Sequence, residues 1–151
     1  MLLAPGWQHA YGVPDDVIAG AFPISGLFDL TPIPATHINA WARLDADSAL
    51  RLSPLFHLPS SAGPLLACVG ENETDEFKRQ SACYVEAWRA RGLVANYLEI
   101  KACNHFDVVL ELGKPDSALA LVMLRTMGLD QTDPIKLAGA PAVHSTICTG
   151  V

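Results

Sequence analysis

The stretch GENETDEF at residues 70–77 decides the fold, because it directly follows an apolar run at residues 64–69. A second stretch, NHFD at residues 104–107, follows another apolar run at residues 94–100. Short apolar runs without polar alternation are typical of parallel strands that are covered on both faces. The carboxyl ends of parallel strands meet at one edge of a sheet, so an acidic loop is predicted beside a histidine loop.

The apolar segment at residues 17–25, which ends at Gly26, predicts a third buried strand. Helices are predicted at residues 37–50 (one or two short ones, the better at 39–44), 74–91, 107–112 and 116–127. In the longest helix Thr74 is the expected N-cap and Gly92 the expected stop, while Asp116 is the expected cap of the last one. This order predicts the α/β class: three αβα layers around a short parallel sheet of about three strands. One sheet edge would be long, apolar and in need of a partner.

We expect one domain portion over residues 1–127 and an irregular tail over residues 128–151, whose Gly, Pro, Thr and Ala content shows no period. Residues 7–16 are predicted to be rich in turns. The opening MLLA before Pro5 and Gly6 has the character of the end of a helix, and we therefore expect a truncated start.

The composition limits the partners of this chain. Half of its 151 residues are hydrophobic, 17% are charged and the formal net charge is −6. Few charges predict a large apolar face that meets a partner, a complementary chain or a second copy. The negative charge argues against nucleic acid and anionic membrane, and no apolar run reaches the roughly 18 residues of a membrane span. Four cysteines without a C-x-x-C pair favour a reducing, cytoplasmic setting.

A histidine and a carboxylate at the same sheet edge are the candidate functional pair. A carboxylate that bonds one ring nitrogen of His105 would fix its tautomer and leave the other nitrogen free as a base. On spacing alone, His105 could equally be a loop residue in solvent or a helix cap. Glu73 is the candidate acid, although acidic residues at a helix start often only complement the helix dipole. Its competitors are Glu71, Asp75, Glu76 and Asp107.

Nucleophile candidates are weaker. Ser25 ends a predicted strand without a sharp turn into a helix, and Ser53 precedes Pro54 in a loop. Cys103 lies two residues before His105 and could form a Cys–His pair, although a cysteine at a strand end usually packs in the core. The remaining histidines lack acidic or cysteine neighbours at ligand spacing, which argues against a metal site: His9, His37, His57 and His144.

Four motifs in order resemble those of bacterial kynurenine formamidases (arylformamidases), in the esterase/lipase branch of the α/β-hydrolases. They are ISGLFDL with Pro32 at residues 24–32, SPL at 53–55, EFKRQS at 76–81 and NHFD at 104–107. The family carries its catalytic acid four residues before the Phe of its E-F-x-R-Q-S motif, and that position is Glu73. Its catalytic histidine corresponds to His105. The resemblance covers about residues 1–127.

The resemblance implies hydrolysis of an aryl formamide or ester such as N-formylkynurenine through an acyl-enzyme, a step of tryptophan degradation. His105 would be the base and then the acid, Glu73 would stabilise its imidazolium, and no metal or organic cofactor is implied. The family's nucleophile elbow, G-x-S-x-G, does not occur in this sequence. The chain is therefore expected to resemble only the C-terminal half, without nucleophile or oxyanion hole, and to be inactive alone. The alternative is a non-catalytic module that pairs with a partner, or a gene remnant.

Overall fold

The structure, a computed structural model, describes residues 2–129, so the predicted tail falls almost wholly outside the described residues. The regular elements are α1 (Trp7–Tyr11), α2 (Asn39–Ala42), α3 (Ala46–Leu52), β1 (Leu65–Gly70), α4 (Asp75–Ala90), β2 (Ala95–Ile100), α5 (Asp107–Leu110) and α6 (Ala118–Thr126). Short 3-10 turns occur at Ile33–Ala35, Pro54–Phe56 and Glu111–Gly113. A single domain portion over residues 1–127 stays a prediction.

Strand β1 is the centre of the sheet. It pairs in parallel with β2, with Leu65 opposite Ala95 and Gly70 opposite Ile100. Its other side meets an extended segment through parallel bridges at Ala21 and Ile24. All six β1 residues are buried, as expected for a parallel strand with both faces covered. The predicted α/β class with a short parallel sheet is confirmed.

The predicted third strand is less regular than expected because of Pro23. Ala21 and Ser25 donate their backbone N–H groups to the carbonyls of Pro64, just before β1, and Cys68, within β1, at 2.9 and 2.8 Å. Pro23 lies between them and faces the same side, but it has no N–H to donate, so it contributes only its carbonyl, to Cys68. The ladder therefore lacks its middle bond, and residues 21–25 form two isolated bridges instead of a continuous strand.

Helices cover both faces of the sheet. On one face, α4 brings Tyr84, Val85 and Trp88 against side chains of the sheet, and Phe28 joins this core. On the opposite face, a second core contains Val108 of α5 and Leu119 of α6. Successive β1 residues alternate between these cores, because side chains of a strand point to opposite faces in turn. The result is the predicted order of three layers.

Several helix boundaries differ from the prediction. Residues 7–16 contain α1 in place of turns alone. Between residues 37 and 52 the longer helix is α3, because Asp45 forms a capping box with Ser48. Thr74 precedes α4 as predicted but makes no side-chain cap. Ser117, and not Asp116, caps α6 by accepting a hydrogen bond from the Ala120 N–H.

Candidate active site

The loops after β1 and β2 are tied together by their backbones. The N–H of Glu71 donates to the Ile100 carbonyl, and the N–H of Asn72 donates to the Cys103 carbonyl, both at 2.9 Å. Glu71 adds a side-chain clamp, since its carboxylate accepts the Ala102 N–H at 2.8 Å and the Lys101 ammonium at 2.9 Å. These contacts fix the loop that carries Glu73 against the loop that carries His105.

Gly70 permits this close approach. A Cβ at this position would lie 2.4 Å from the Cys103 carbonyl oxygen, well inside van der Waals contact. We expect Gly70→Ala to reduce the free energy of unfolding by about 1–3 kcal/mol, because the two loops must move apart. Urea denaturation measures the change. The control is Gly113→Ala, where a Cβ meets no atom within 4 Å. Equal stability of the two variants would contradict this account of the loop contact.

The loops bring Glu73 and His105 together. Glu73 Oε2 lies 2.9 Å from His105 Nδ1. Its other oxygen, Oε1, accepts the Gly70 N–H at 2.7 Å and the Ser25 hydroxyl at 2.5 Å. The Glu73 side chain is completely buried, whereas the His105 side chain is 45% exposed. A buried carboxylate therefore holds one nitrogen of a ring that reaches solvent.

The bonds to the Glu73 carboxylate favour its ionised form. Burial acts to raise the pKa of Glu73, but the hydrogen bonds from Ser25, Gly70 and His105 act against burial and lower the pKa below its ordinary value. Glu73 therefore contributes stability above the pKa of an unfolded glutamate, and this contribution is lost as the pH falls through the lowered pKa. At neutral pH the carboxylate is charged and accepts all three bonds.

His105 is held by rings as well as by Glu73. Phe77 of α4 stacks on the imidazole with ring centroids 4.6 Å apart, and Phe106 meets it edge-on at 5.5 Å. A neutral His105 that donates from Nδ1 to the carboxylate carries its lone pair on Nε2. Among the residues that the structure describes, Nε2 makes no hydrogen bond, so it is free to accept a proton from an incoming group.

Glu73→Gln is expected to reverse the tautomer of His105. A glutamine can accept from Ser25 and Gly70 with its oxygen, but its NH₂ then faces Nδ1 and requires an acceptor there. The ring proton moves to Nε2, and the free base is lost. ¹⁵N NMR at a pH of about 8.5, where an ordinary imidazole is neutral, reports the tautomer. Glu76→Gln, on the same helix, is the control. Unchanged ring-nitrogen shifts in Glu73→Gln would contradict the assignment.

The competing acids have other partners. Glu71 is the loop clamp already described, and Glu76 bonds Arg79 and Gln80. Asp75 is exposed in the first turn of α4. At the start of α5, the Asn104 side-chain oxygen accepts the N–H groups of Phe106 and Asp107 at 2.8 and 3.1 Å, and the Asp107 carboxylate accepts the Asn104 backbone N–H at 3.5 Å. Within the described residues, only Glu73 bonds the imidazole.

The nucleophile candidates do not reach His105 Nε2. The Ser25 hydroxyl bonds Glu73 on the oxygen away from the ring. Ser53 is fully buried and structural, since its hydroxyl accepts the Leu30 N–H and donates to the Ala49 carbonyl, both at 2.7 Å. Cys103 is buried in the second core, and burial raises the pKa of its thiol, which disfavours the thiolate. The Cys103–His105 hypothesis is therefore not supported by the geometry.

Sequence reasoning missed two residues that build the site. The sequence offers Ser25 only as a weak nucleophile candidate, whereas in the structure its hydroxyl donates to the acid Glu73. Gln80, inside the EFKRQS motif, accepts the N–H groups of Phe28 and Asp29 at 2.7 and 2.9 Å and donates to the Asp29 carbonyl. It thereby attaches the segment that follows Ser25 to α4. The co-occurrence of the ISGLFDL and EFKRQS motifs is a signal for Gln80, whose partners Phe28 and Asp29 lie in the first motif, but not for Ser25, whose partner Glu73 lies in neither.

No group of three or more potential metal-ligating side chains occurs within residues 2–129. Within the same range, none of the helices combines the length and the hydrophobicity that a membrane span requires. His144, one of the histidines considered as a metal ligand, lies outside the described residues.

Comparison with solved structures defines the class of fold. A protein from Silicibacter sp. TM1040 named as a thioesterase aligns with a TM-score of 0.65 and 30% identity, over 80% of this chain and 44% of that one. The carboxylesterase Cest-2923 from Lactobacillus plantarum aligns with a TM-score of 0.58 and 17% identity, over 87% of this chain and 54% of that one, and therefore supports the fold alone. The fold is that of part of an α/β-hydrolase.

Sequence comparison gives a more particular resemblance. The chain is 31% identical over 134 residues to kynurenine formamidase from Salmo salar and 30% identical over 133 residues to that from Danio rerio. Each match covers 85% of this chain but 45% of the relative, so the chain spans about half the length of the curated relatives that it matches. No family model matches. The resemblance to kynurenine formamidases predicted from the motifs is confirmed.

Proposed function

We propose that this chain supplies the histidine and the acid of a serine-hydrolase active site that cleaves an aryl formamide or ester, with N-formylkynurenine as the expected substrate. The observation that carries the proposal is the hydrogen bond between the buried Glu73 and the half-exposed His105, which leaves Nε2 free. The kynurenine formamidase relatives support the reaction class.

In the proposed mechanism, His105 Nε2 takes the proton of a serine hydroxyl as that oxygen attacks the formyl carbon. Glu73 stabilises the imidazolium through Nδ1–H, and Nε2 then gives its proton to the departing aryl amine. Water, activated by the same nitrogen, releases formate. Because the described serines do not reach Nε2, the nucleophile and the oxyanion donors come, in this proposal, from a complementary polypeptide segment that carries a G-x-S-x-G elbow.

A chimera tests this proposal. The 134 matched residues of the Salmo salar kynurenine formamidase are replaced by those of this chain, and hydrolysis of N-formylkynurenine and p-nitrophenyl acetate is measured. We expect the chimera to hydrolyse these substrates. For the 151-residue chain alone, we expect no rate above that of its own His105→Ala variant. A folded but inactive chimera would contradict the assigned function. Activity of the chain alone that depends on His105 would show that a nucleophile exists within it.

The second candidate is a non-catalytic module that binds a partner chain through its sheet edge. The observation in its favour is that the N–H groups of Phe22 and Ile24, on the side away from β1, donate no hydrogen bond to the described residues. The sequence predicts that one sheet edge needs a partner, without specifying which edge. Light scattering during size-exclusion chromatography distinguishes pairing with a second copy, which gives a dimer, from a monomer.

A further inference from the structure

We propose that Ser25 is a positioning residue, whose hydroxyl holds the Glu73 carboxylate ionised and turned toward His105. This inference rests on the proposed role of the His105–Glu73 pair, but its test does not require catalysis.

The first observation is the geometry of the hydroxyl. Ser25 is buried, and its Oγ lies 2.5 Å from Glu73 Oε1. The Gly70 N–H bonds the same oxygen at 2.7 Å, so two donors fix Oε1 while Oε2 is left for His105 Nδ1. A carboxylate held by both of its oxygens can rotate only by breaking a charge-assisted bond, which is about twice as strong as a neutral one.

The second observation is the backbone of Ser25. Its φ is +50°, in the left-handed region that residues other than glycine rarely adopt. The N–H of Ser25 bonds the Cys68 carbonyl of β1 at 2.8 Å, and the next residue, Gly26, could not carry a Cβ without meeting the Phe28 ring at 2.5 Å. The chain bends here, beside β1, where the hydroxyl meets Glu73 in the loop that follows β1. Such conformations persist where the surrounding structure holds them, and they cluster at functional sites.

The third observation is that the hydroxyl is committed to the acid. Ser25 and Glu73 are 48 residues apart in sequence, so no local turn requires their contact. The Ser25 Oγ makes no described bond to a backbone carbonyl, unlike Ser53, whose hydroxyl bonds Ala49 and Leu30 and serves the loop alone. Because the described bond of the Ser25 hydroxyl is to the Glu73 carboxylate, its effect is on the charge and the orientation of that carboxylate.

The test measures the pKa of Glu73 by ¹³C NMR of its side-chain carboxyl in the 151-residue chain. Ser25→Ala and Ser25→Gly both remove the hydroxyl. Ser25→Gly also relieves the left-handed backbone, so a general loss of folding does not explain an effect that both variants share. The matched control is Ser81→Ala, because Ser81 is fully buried and its hydroxyl has no partner among the described residues.

We expect the pKa of Glu73 to rise by about one pH unit in both Ser25 variants, the size of one charge-assisted hydrogen bond, and to stay unchanged in Ser81→Ala. In the unsubstituted chain, the Ser25 hydroxyl proton should be visible by NMR and should disappear as Glu73 is protonated. An unchanged pKa in both variants, or the absence of this proton signal, would overturn the proposal. A raised pKa in a chain whose chimera does not hydrolyse would support the role of Ser25 and reject only the assigned reaction.

Discussion

Replacing His105 with alanine in the chimera is expected to lower kcat for N-formylkynurenine by about 10⁴- to 10⁶-fold, the loss typical of removing a member of a hydrolase triad. Nε2 is the only free nitrogen of the one imidazole that the described structure pairs with a buried carboxylate. No neighbouring described side chain can take over as base, because Phe77 and Phe106 occupy two sides of the ring.

The matched control for this prediction is His9→Ala. His9 is an exposed histidine of α1 and bonds no carboxylate among the described residues. His9→Ala therefore removes an imidazole but leaves the His105–Glu73 pair intact. We expect its kcat to stay within about twofold of the unsubstituted chimera. A His105→Ala variant that keeps more than a tenth of the rate would show that another group is the base. The His105–Glu73 pair would then be structural.

Replacing Trp88 with alanine is expected to reduce the free energy of unfolding by about 3–5 kcal/mol, the usual cost of removing a large aromatic side chain from a core. Trp88 is fully buried at the centre of the core between α4 and the sheet, where its ring meets Tyr84 edge-on. Small domains are stable by only about 5–15 kcal/mol, so this loss is a large part of the total.

Trp41→Ala makes the same chemical change on the surface. The Trp41 side chain is 76% exposed on α2, and its removal should change the stability by no more than about 0.5 kcal/mol. Urea titrations of the two variants at equal protein concentration compare them directly. If both variants lost similar stability, the core described between α4 and the sheet would not be the centre of the fold.

The sequence predicted the parts of the fold that depend on local pattern. The apolar runs before GENETDEF and NHFD are strands, and the amphipathic helix between them starts and stops within a residue of the expected positions. Gly92 follows the end of α4 with a φ of +75°, a left-handed conformation that glycine adopts readily because it has no side chain. These features are encoded within a few residues and need no knowledge of distant contacts.

The sequence could not predict features that depend on which partner a group meets. Pro23 disrupts the third strand only because its nitrogen faces β1, and the sequence does not say which side it faces. The residues around Ser25 do not form the sharp strand-to-helix turn of a nucleophile, and its hydrogen-bond partner, Glu73, is 48 residues away in the sequence. Likewise, four acidic residues around the start of α4 were indistinguishable by composition. The register of β1 against β2 brings Glu73, and not its neighbours, to His105.

The orientation of Pro23 has a consequence for the solubility of the chain. A proline protects the border of a sheet when its missing N–H lies on the outer side, because a second chain then finds no donor there. Here the gap lies on the inner side, and the outer side keeps the N–H groups of Phe22 and Ile24. The proline thus removes a hydrogen bond between residues 21–25 and β1, while the outer edge of the sheet can still pair with a strand of another molecule. Concentrated solutions of the isolated chain should therefore deposit β-rich assemblies, and moving the proline one position, to residue 22, should place the gap where it prevents them.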